Sequence, residues 1–171
     1  AIFDRMVEPS IPETMGCWAM PVGNFDGQLV SVGMSQWNFG TGSLQPLLRE
    51  FAAEHPARWA AIFGRHAEGF LQLMSRKGKL AEKEQHRFAV EQMNKVSIVG
   101  KRKKWEIKEP WAGYFLLLSE DPAFRGIQIR HVRILLERAG EYCRQFRLKS
   151  EMAFAFMFDA VSSHGKSWLT K

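Results

Sequence analysis

The chain has 171 residues, 46% of them hydrophobic and 12% aromatic, enough to bury a real core in one domain and too apolar for a disordered tail. No apolar run approaches the roughly 18–20 residues of a membrane-spanning helix, so insertion into a bilayer is not expected. With 24 lysines and arginines against 18 acids the net charge is +6, which favours an anionic partner (nucleic acid, anionic lipid or an anionic cell-wall polymer) and disfavours a polycation.

Residues 1–8, with Ile2, Phe3, Met6 and Val7, read as the end of a helix. Pro9 stops it, because proline disfavours helical geometry at the residue before it and supplies no amide donor. From about 17 to 42 the chain is rich in glycine and carries a patch of alternation, Leu29-Val-Ser-Val-Gly-Met34, which predicts short strands and turns in a small β lobe. Ser43 can cap a helix running to about His55, with Pro46 tolerable inside its first turn. Pro56 opens a second helix, in which Trp59, Ile62, Phe63, His66, Phe70 and Leu73 keep a 3–4 spacing. A third is predicted over about 80–96.

The basic run Lys101-Arg-Lys-Lys104 reads as a solvated turn. An aromatic stretch follows, in which Trp105 and Trp111 read as packing residues and Pro110 breaks or starts a helix. Asp121-Pro122 makes a cap and first-position pair for a helix extending towards Arg147. A last helix holds Met152, Phe154, Ala155, Phe156 and Phe158. The expected fold is mostly α, a single domain over 1–171 with a small β region near the N-terminus.

Several chemistries lack their signatures. There is no His-Glu-x-x-His and no Cys-x-x-Cys, and Cys17 and Cys143 are too few for a zinc site of their own, so no metal is expected. Gly165-Lys166-Ser167 lacks the earlier glycine of a phosphate loop, whose place is taken by Ala160, and it follows an apolar helix rather than a strand. His55, His66, His86 and His131 sit inside helical patterns. No organic cofactor is implied.

The informative segment is Glu8 through Ser43. Glu8 falls at a helix end beside Phe3 and Val7, where desolvation favours a retained proton; Asp26 falls in the wet turn Gly23-Asn-Phe-Asp-Gly27, 18 residues on, where it stays ionised. Two carboxyls held apart in this way are what glycoside hydrolysis needs, one protonating the leaving oxygen and the other activating water or attacking carbon. Glu13, in a loop after Pro12, is the reserve acid.

The wording around these acids resembles glycoside hydrolase family 46, the chitosanases of the lysozyme superfamily. Asp26-Gly-Gln-Leu-Val-Ser31 followed by Gly40-Thr-Gly42 is similar to that family's Asp-Gly-x-Gly-Tyr-Thr turn and its later Gly-Thr-Gly, with the same interval back to a glutamate at a helix end. Phe158-Asp159-Ala-Val-Ser-Ser-His164-Gly165 resembles its Tyr-Asp-x-x-x-x-His-Gly element at identical spacing. The resemblance implies a lysozyme-like α+β fold, its cleft between a helical part and the lobe at about 17–42. It implies Glu8 as general acid and Asp26 as general base. It also implies Ser31 as the hydroxyl that orients water, with Asp159 and His164 as framework. An inverting mechanism follows, which places the two carboxyls roughly 6.5–9.5 Å apart.

The departures bear on the substrate. The place of that turn's basic residue is taken by Gln28, the place of its second glycine by Leu29, and the place of the acid that follows Gly-Thr-Gly in chitosanases by Ser43. Losing that acid on a chain of +6 points away from chitosan and towards peptidoglycan, whose lactyl-peptide carboxylates are anionic. Gly33-Met-Ser-Gln36-Trp37-Asn38-Phe39-Gly40 is also similar to a Gly-x-x-Gln-Trp-Asn-x-Gly segment of bacterial lysozyme-like proteins. Gln36 and Asn38 are therefore candidates to bond acetamido groups, and Trp37 to supply apolar surface, although strand-end packing and turn bonding serve these residues equally well.

The expected partner is a peptidoglycan glycan strand rather than nucleic acid. The start of the chain lacks the layout of a signal peptide, so the expectation is a domain of a larger protein, delivered by a phage or a secretion machine to act in the periplasm or cell wall, with an immunity protein as a further partner in the second case. A chitosanase, a non-catalytic glycan-binding module and a nucleic-acid-binding domain remain as alternatives.

Overall fold

A computed structural model describes residues 21–24, 27–99 and 102–164, the side chains of Val99, Arg102, Ser163 and His164 excepted. The helix end expected before Pro9, Glu8, Glu13, Cys17, Asp26 and the Gly165-Lys166-Ser167 tripeptide lie outside these residues. The described chain is mostly helical with two small antiparallel sheets. Its contacts fall into two units, Ala1–Ile127 and Gln128–Lys171.

In the first unit, β1 (Ser31–Val32) pairs with β2 (Trp37–Asn38), Ser31 opposite Asn38 and Val32 opposite Trp37. Val22 bridges to the outer side of Ser31. The patch of alternation that predicted short strands is packed on both sides: Leu29, Val30, Ser31, Val32 and Met34 are all buried. α1 (Leu44–Glu54) then starts directly after Ser43.

The predicted second helix is two. α2 (Pro56–Phe63) ends at Gly64, whose φ of +52° lies in the left-handed region, and a 3-10 turn over Gly64–His66 leads into α3 (Ala67–Ser75). The apolar spacing survives the break because Trp59 Nε1 donates to Ala67 O at 3.0 Å across it. Trp59, Phe63 and Phe70 therefore still meet, with ring centroids 4.1–5.8 Å apart.

α4 (Lys79–Phe88) is shorter than the helix expected over 80–96. It unwinds through a π turn, Ala89–Met93, and Asn94 ends it by donating Nδ2 to Ala89 O at 2.9 Å. The chain then enters β3 (Asn94–Val99), paired antiparallel with β4 (Arg102–Ile107). This hairpin corrects two expectations. Sheet is not confined to the N-terminal region, and most of the basic run is strand rather than a solvated turn. The β-branched Val96, Ile98 and Val99 favour the pleat over a continued helix. On one face Lys104 and Lys95 pair with Glu106 at 2.9 and 3.4 Å. The hydrogen bond from Lys104 and the charge of both lysines outweigh desolvation and hold the Glu106 carboxyl below its ordinary value.

α5 (Trp111–Glu120) follows Pro110, and α6 (Pro122–Gln145) follows Asp121, whose Oδ1 accepts Ala123 N at 2.8 Å as the cap reading anticipated. In the second unit, α6 closes with Leu148 N donating to Cys143 O at 2.8 Å and Arg147 N to Arg144 O at 3.2 Å. Arg147 takes the left-handed φ of +55° that this closure requires. Ser150 Oγ accepts Ala153 N at the start of α7 (Glu151–His164). Ala139, the free thiol Cys143 and Met157 form the buried centre of that unit, with Tyr142, Leu148, Phe154 and Phe158 packed around them.

Candidate functional site

The described residues of 22–24 and 27–43 are tied down by their own polar groups. Gln28 O accepts Val30 N at 3.0 Å and Gly40 N at 2.9 Å, which draws the Gly40-Thr-Gly42 turn against the turn that contains Gly27. Asn24 Oδ1 accepts Leu29 N at 3.0 Å, and Asn24 N in turn donates to Asn94 Oδ1 at 3.0 Å, so the base of the β3–β4 hairpin fixes this turn from the far side. Asn38 Oδ1 accepts both Thr41 N at 2.8 Å and Thr41 Oγ1 at 2.6 Å. Ser43 stands at the N-cap position of α1 but does not cap it. Its hydroxyl accepts Asn38 N at 2.8 Å and donates to Asn38 O at 3.2 Å, spending its bonds on the strand instead of the helix.

Two backbone positions show what the turns demand. Leu29 sits at φ +69°, two residues after Gly27 at φ +85°. A side chain in that region costs about 1–2 kcal/mol, yet Leu29 is only 1% exposed and packs as core. Leu29→Ala and Leu29→Gly should both destabilise by about 2–5 kcal/mol through the lost side chain. Glycine should nevertheless be the milder of the two by about 1 kcal/mol, the reverse of the ordinary order, and urea unfolding of the pair checks this.

Gly40 is needed for a different reason. A Cβ there would lie 2.8 Å from Gln28 O and 2.9 Å from its carbonyl carbon, backbone atoms that cannot swing away. Gly40→Ala should cost about 2–3 kcal/mol and push the two turns apart. Gly42→Ala, with open space but a φ of +80°, should cost only about 1 kcal/mol.

Beside these turns lies a cavity of about 280 Å3. Leu29, Phe39 and the 40–42 turn form one side; Gln45 of α1 and Glu82, Gln85 and His86 of α4 form the other. The two glutamines are the unusual part, since both are buried. Gln85 Nε2 donates to Leu73 O at 3.0 Å and Arg76 O at 3.3 Å, closing the connection between α3 and α4. Gln45 Nε2 donates to Phe39 O at 2.9 Å and to Gln85 Oε1 at 3.3 Å. Gln45 Oε1 has no hydrogen-bond partner among the described residues, although the side chain is 5% exposed. A buried acceptor left open costs about 1–3 kcal/mol, and this one lies behind the cavity wall with almost no accessible surface.

Gln28, Asn38 and Ser43 are gathered around the 40–42 turn, as the bonds above show. Ser31 is buried, with its backbone shared between Val22 and Asn38. Gln36 occupies the turn between β1 and β2 at φ +46° and folds its Nε2 back on Gly33 O at 3.4 Å; Trp37 next to it is buried. Asn38 and Trp37 thus carry the turn-bonding and packing roles open to them from sequence. Asp159 is exposed on α7, and the side chain of His164 is not described. Gln45, Gln85, Glu82 and His86 were not anticipated. The available signal was a glutamine within the apolar stripe of α1, flanked by Leu44, Leu47 and Leu48. Among the described residues no cluster of three or more His, Cys, Asp or Glu side chains could hold a metal ion. Compared with protein-family models, with curated proteins and with solved structures, the chain matches none of them.

Proposed function

We propose that the chain is a lysozyme-like glycoside hydrolase that cleaves β-1,4 bonds of peptidoglycan. Glu8 acts as general acid and Asp26 as general base, with Ser31 orienting water, without metal or organic cofactor. Its cleft runs beside the lobe built on β1 and β2. The observation that supports this reading best is the left-handed backbone at Gly27 and Leu29. Those are the second and fourth places of the Asp-Gly-x-Gly turn that the chain resembles, so the glycine-type conformation persists where the glycine itself has been replaced. The cavity beside the Gly40-Thr-Gly42 turn, lined also by Glu82, Gln85 and His86, offers polar side chains to an acetamido group or a sugar hydroxyl. The net charge of +6 suits an anionic wall polymer. Action on a wall calls for delivery to the periplasm or wall by a phage or a secretion machine, and in the second case the producing cell needs an immunity protein.

Mass spectrometry of purified peptidoglycan digested by the protein, run beside soluble chitosan, tests the reading. The expected result is new reducing ends from the wall and none from chitosan, and the sugar at the new end separates a muramidase from a glucosaminidase. New ends from chitosan alone would make the protein a chitosanase. Binding to walls with no new ends would make it a glycan-binding module.

A further inference from the structure

The β3–β4 hairpin concentrates both charge and exposed apolar surface. Residues 94–107 hold Lys95, Lys101, Arg102, Lys103 and Lys104 against the single acid Glu106, so a net +4 of the chain's +6 sits on fourteen residues. The register puts Val96 opposite Trp105 and Ile98 opposite Lys103 on one face. On that face Ile98 is 76% and Val96 44% exposed, and Lys103 is exposed beside them. Lys104 is exposed on the other face. Neither strand pairs with a third among the described residues.

An exposed β-branched strand with free edges invites self-association unless it has another use. The side chains indicate which use. A nucleic acid or a sugar is gripped by exposed aromatic rings, whereas the most exposed apolar groups here are aliphatic, and aliphatic groups gain by entering hydrocarbon. Lysines flanking such groups add attraction to anionic headgroups.

We propose that the β3–β4 hairpin is a docking finger for an anionic membrane surface, laying Ile98 and Val96 into the headgroup boundary while Lys103 beside them meets lipid phosphates. The docking is peripheral. It asks for no spanning segment, and no described helix is long and apolar enough to cross a bilayer. It is independent of the hydrolase reading, since neither Glu8 nor Asp26 takes part.

Co-sedimentation of the whole chain with vesicles tests it, using phosphatidylcholine alone, phosphatidylcholine with phosphatidylglycerol, and, in competition, duplex DNA. Binding should require phosphatidylglycerol and weaken with added salt. Ile98→Ser should lower affinity about tenfold and Lys103→Ser about fivefold, whereas Lys104→Ser, on the opposite face and paired with Glu106, should lower it less than Lys103→Ser does. Ile98→Trp should raise affinity, because an interfacial tryptophan suits the headgroup region better. All three positions are chosen for exposure, and an unchanged circular dichroism melt confirms that the fold is kept. Absence of binding to the anionic vesicles, equal binding to neutral ones, or lysine sensitivity with no response at Ile98 would each overturn the proposal. Displacement from vesicles by stoichiometric duplex DNA would overturn it in favour of a nucleic-acid finger.

Discussion

Glu8→Gln is expected to slow release of reducing ends from purified cell walls by about 10²–10⁴-fold while leaving wall binding unchanged, and Asp26→Asn to do the same. The glutamine keeps the shape of the side chain but has no proton of suitable acidity for the departing sugar oxygen. The asparagine cannot take the proton of the attacking water. The two losses should differ in kind. A substrate with an aryl leaving group departs without protonation, so it should recover most of the rate in Glu8→Gln and little in Asp26→Asn. A product of inverted anomeric configuration, seen by NMR during turnover, goes with carboxyls roughly 6.5–9.5 Å apart; retention would mean about 5 Å and a nucleophilic Asp26. If both variants keep wild-type rates, the assignment of the two acids is wrong.

How much of this could be read from sequence depended on how local each signal is. The starts of α1, α2 and α6 were legible because a cap residue or a first-turn proline acts within its own turn, as Asp121 does on Ala123 N. Even so, Ser43 marked its helix start for the wrong reason, since its hydroxyl serves Asn38. The split at Gly64 was hidden because the apolar spacing runs on through it, and one tryptophan hydrogen bond to Ala67 O restores the register. The hairpin was hidden for a different reason. Val96 and Ile98 could extend a helix as plausibly as begin a strand, and what decides is pairing with residues on β4, a non-local gain invisible in a short window. Of the candidate site, the turns could be anticipated from their glycines. The amide-lined wall could not, because Gln45 and Gln85 lie 40 residues apart and meet only once α1 and α4 are packed.

Phe70→Ala is expected to cost about 3–5 kcal/mol of stability, measured as a shift in the urea midpoint at unchanged slope. Phe70 is 2% exposed on α3 and stands among the rings of Trp59, Phe63, Phe88, Trp111 and Phe115. It meets Trp111 edge-on at 4.9 Å and stacks on Phe39 at 6.1 Å. Alanine would leave a hole whose walls are large, rigid rings from several elements, and such walls collapse poorly, which places the cost towards the upper end. Phe156→Ala on α7, where the ring is 59% exposed, should stay within about 0.5 kcal/mol and serves as the control. A double-mutant cycle with Trp111→Leu should show about 0.5–1.5 kcal/mol of coupling. The same ring also reaches the candidate site, because Phe39 lines the cavity and its carbonyl holds Gln45 Nε2. Losing the stack beneath Phe39 should therefore loosen the cavity wall before the chain unfolds, so amide exchange at Gly40 and Gly42 should rise in Phe70→Ala well below its unfolding midpoint. Equal protection of those amides in both proteins would mean that the turns are held by Gln28 and Asn38 alone, and that the core beneath them only fills space.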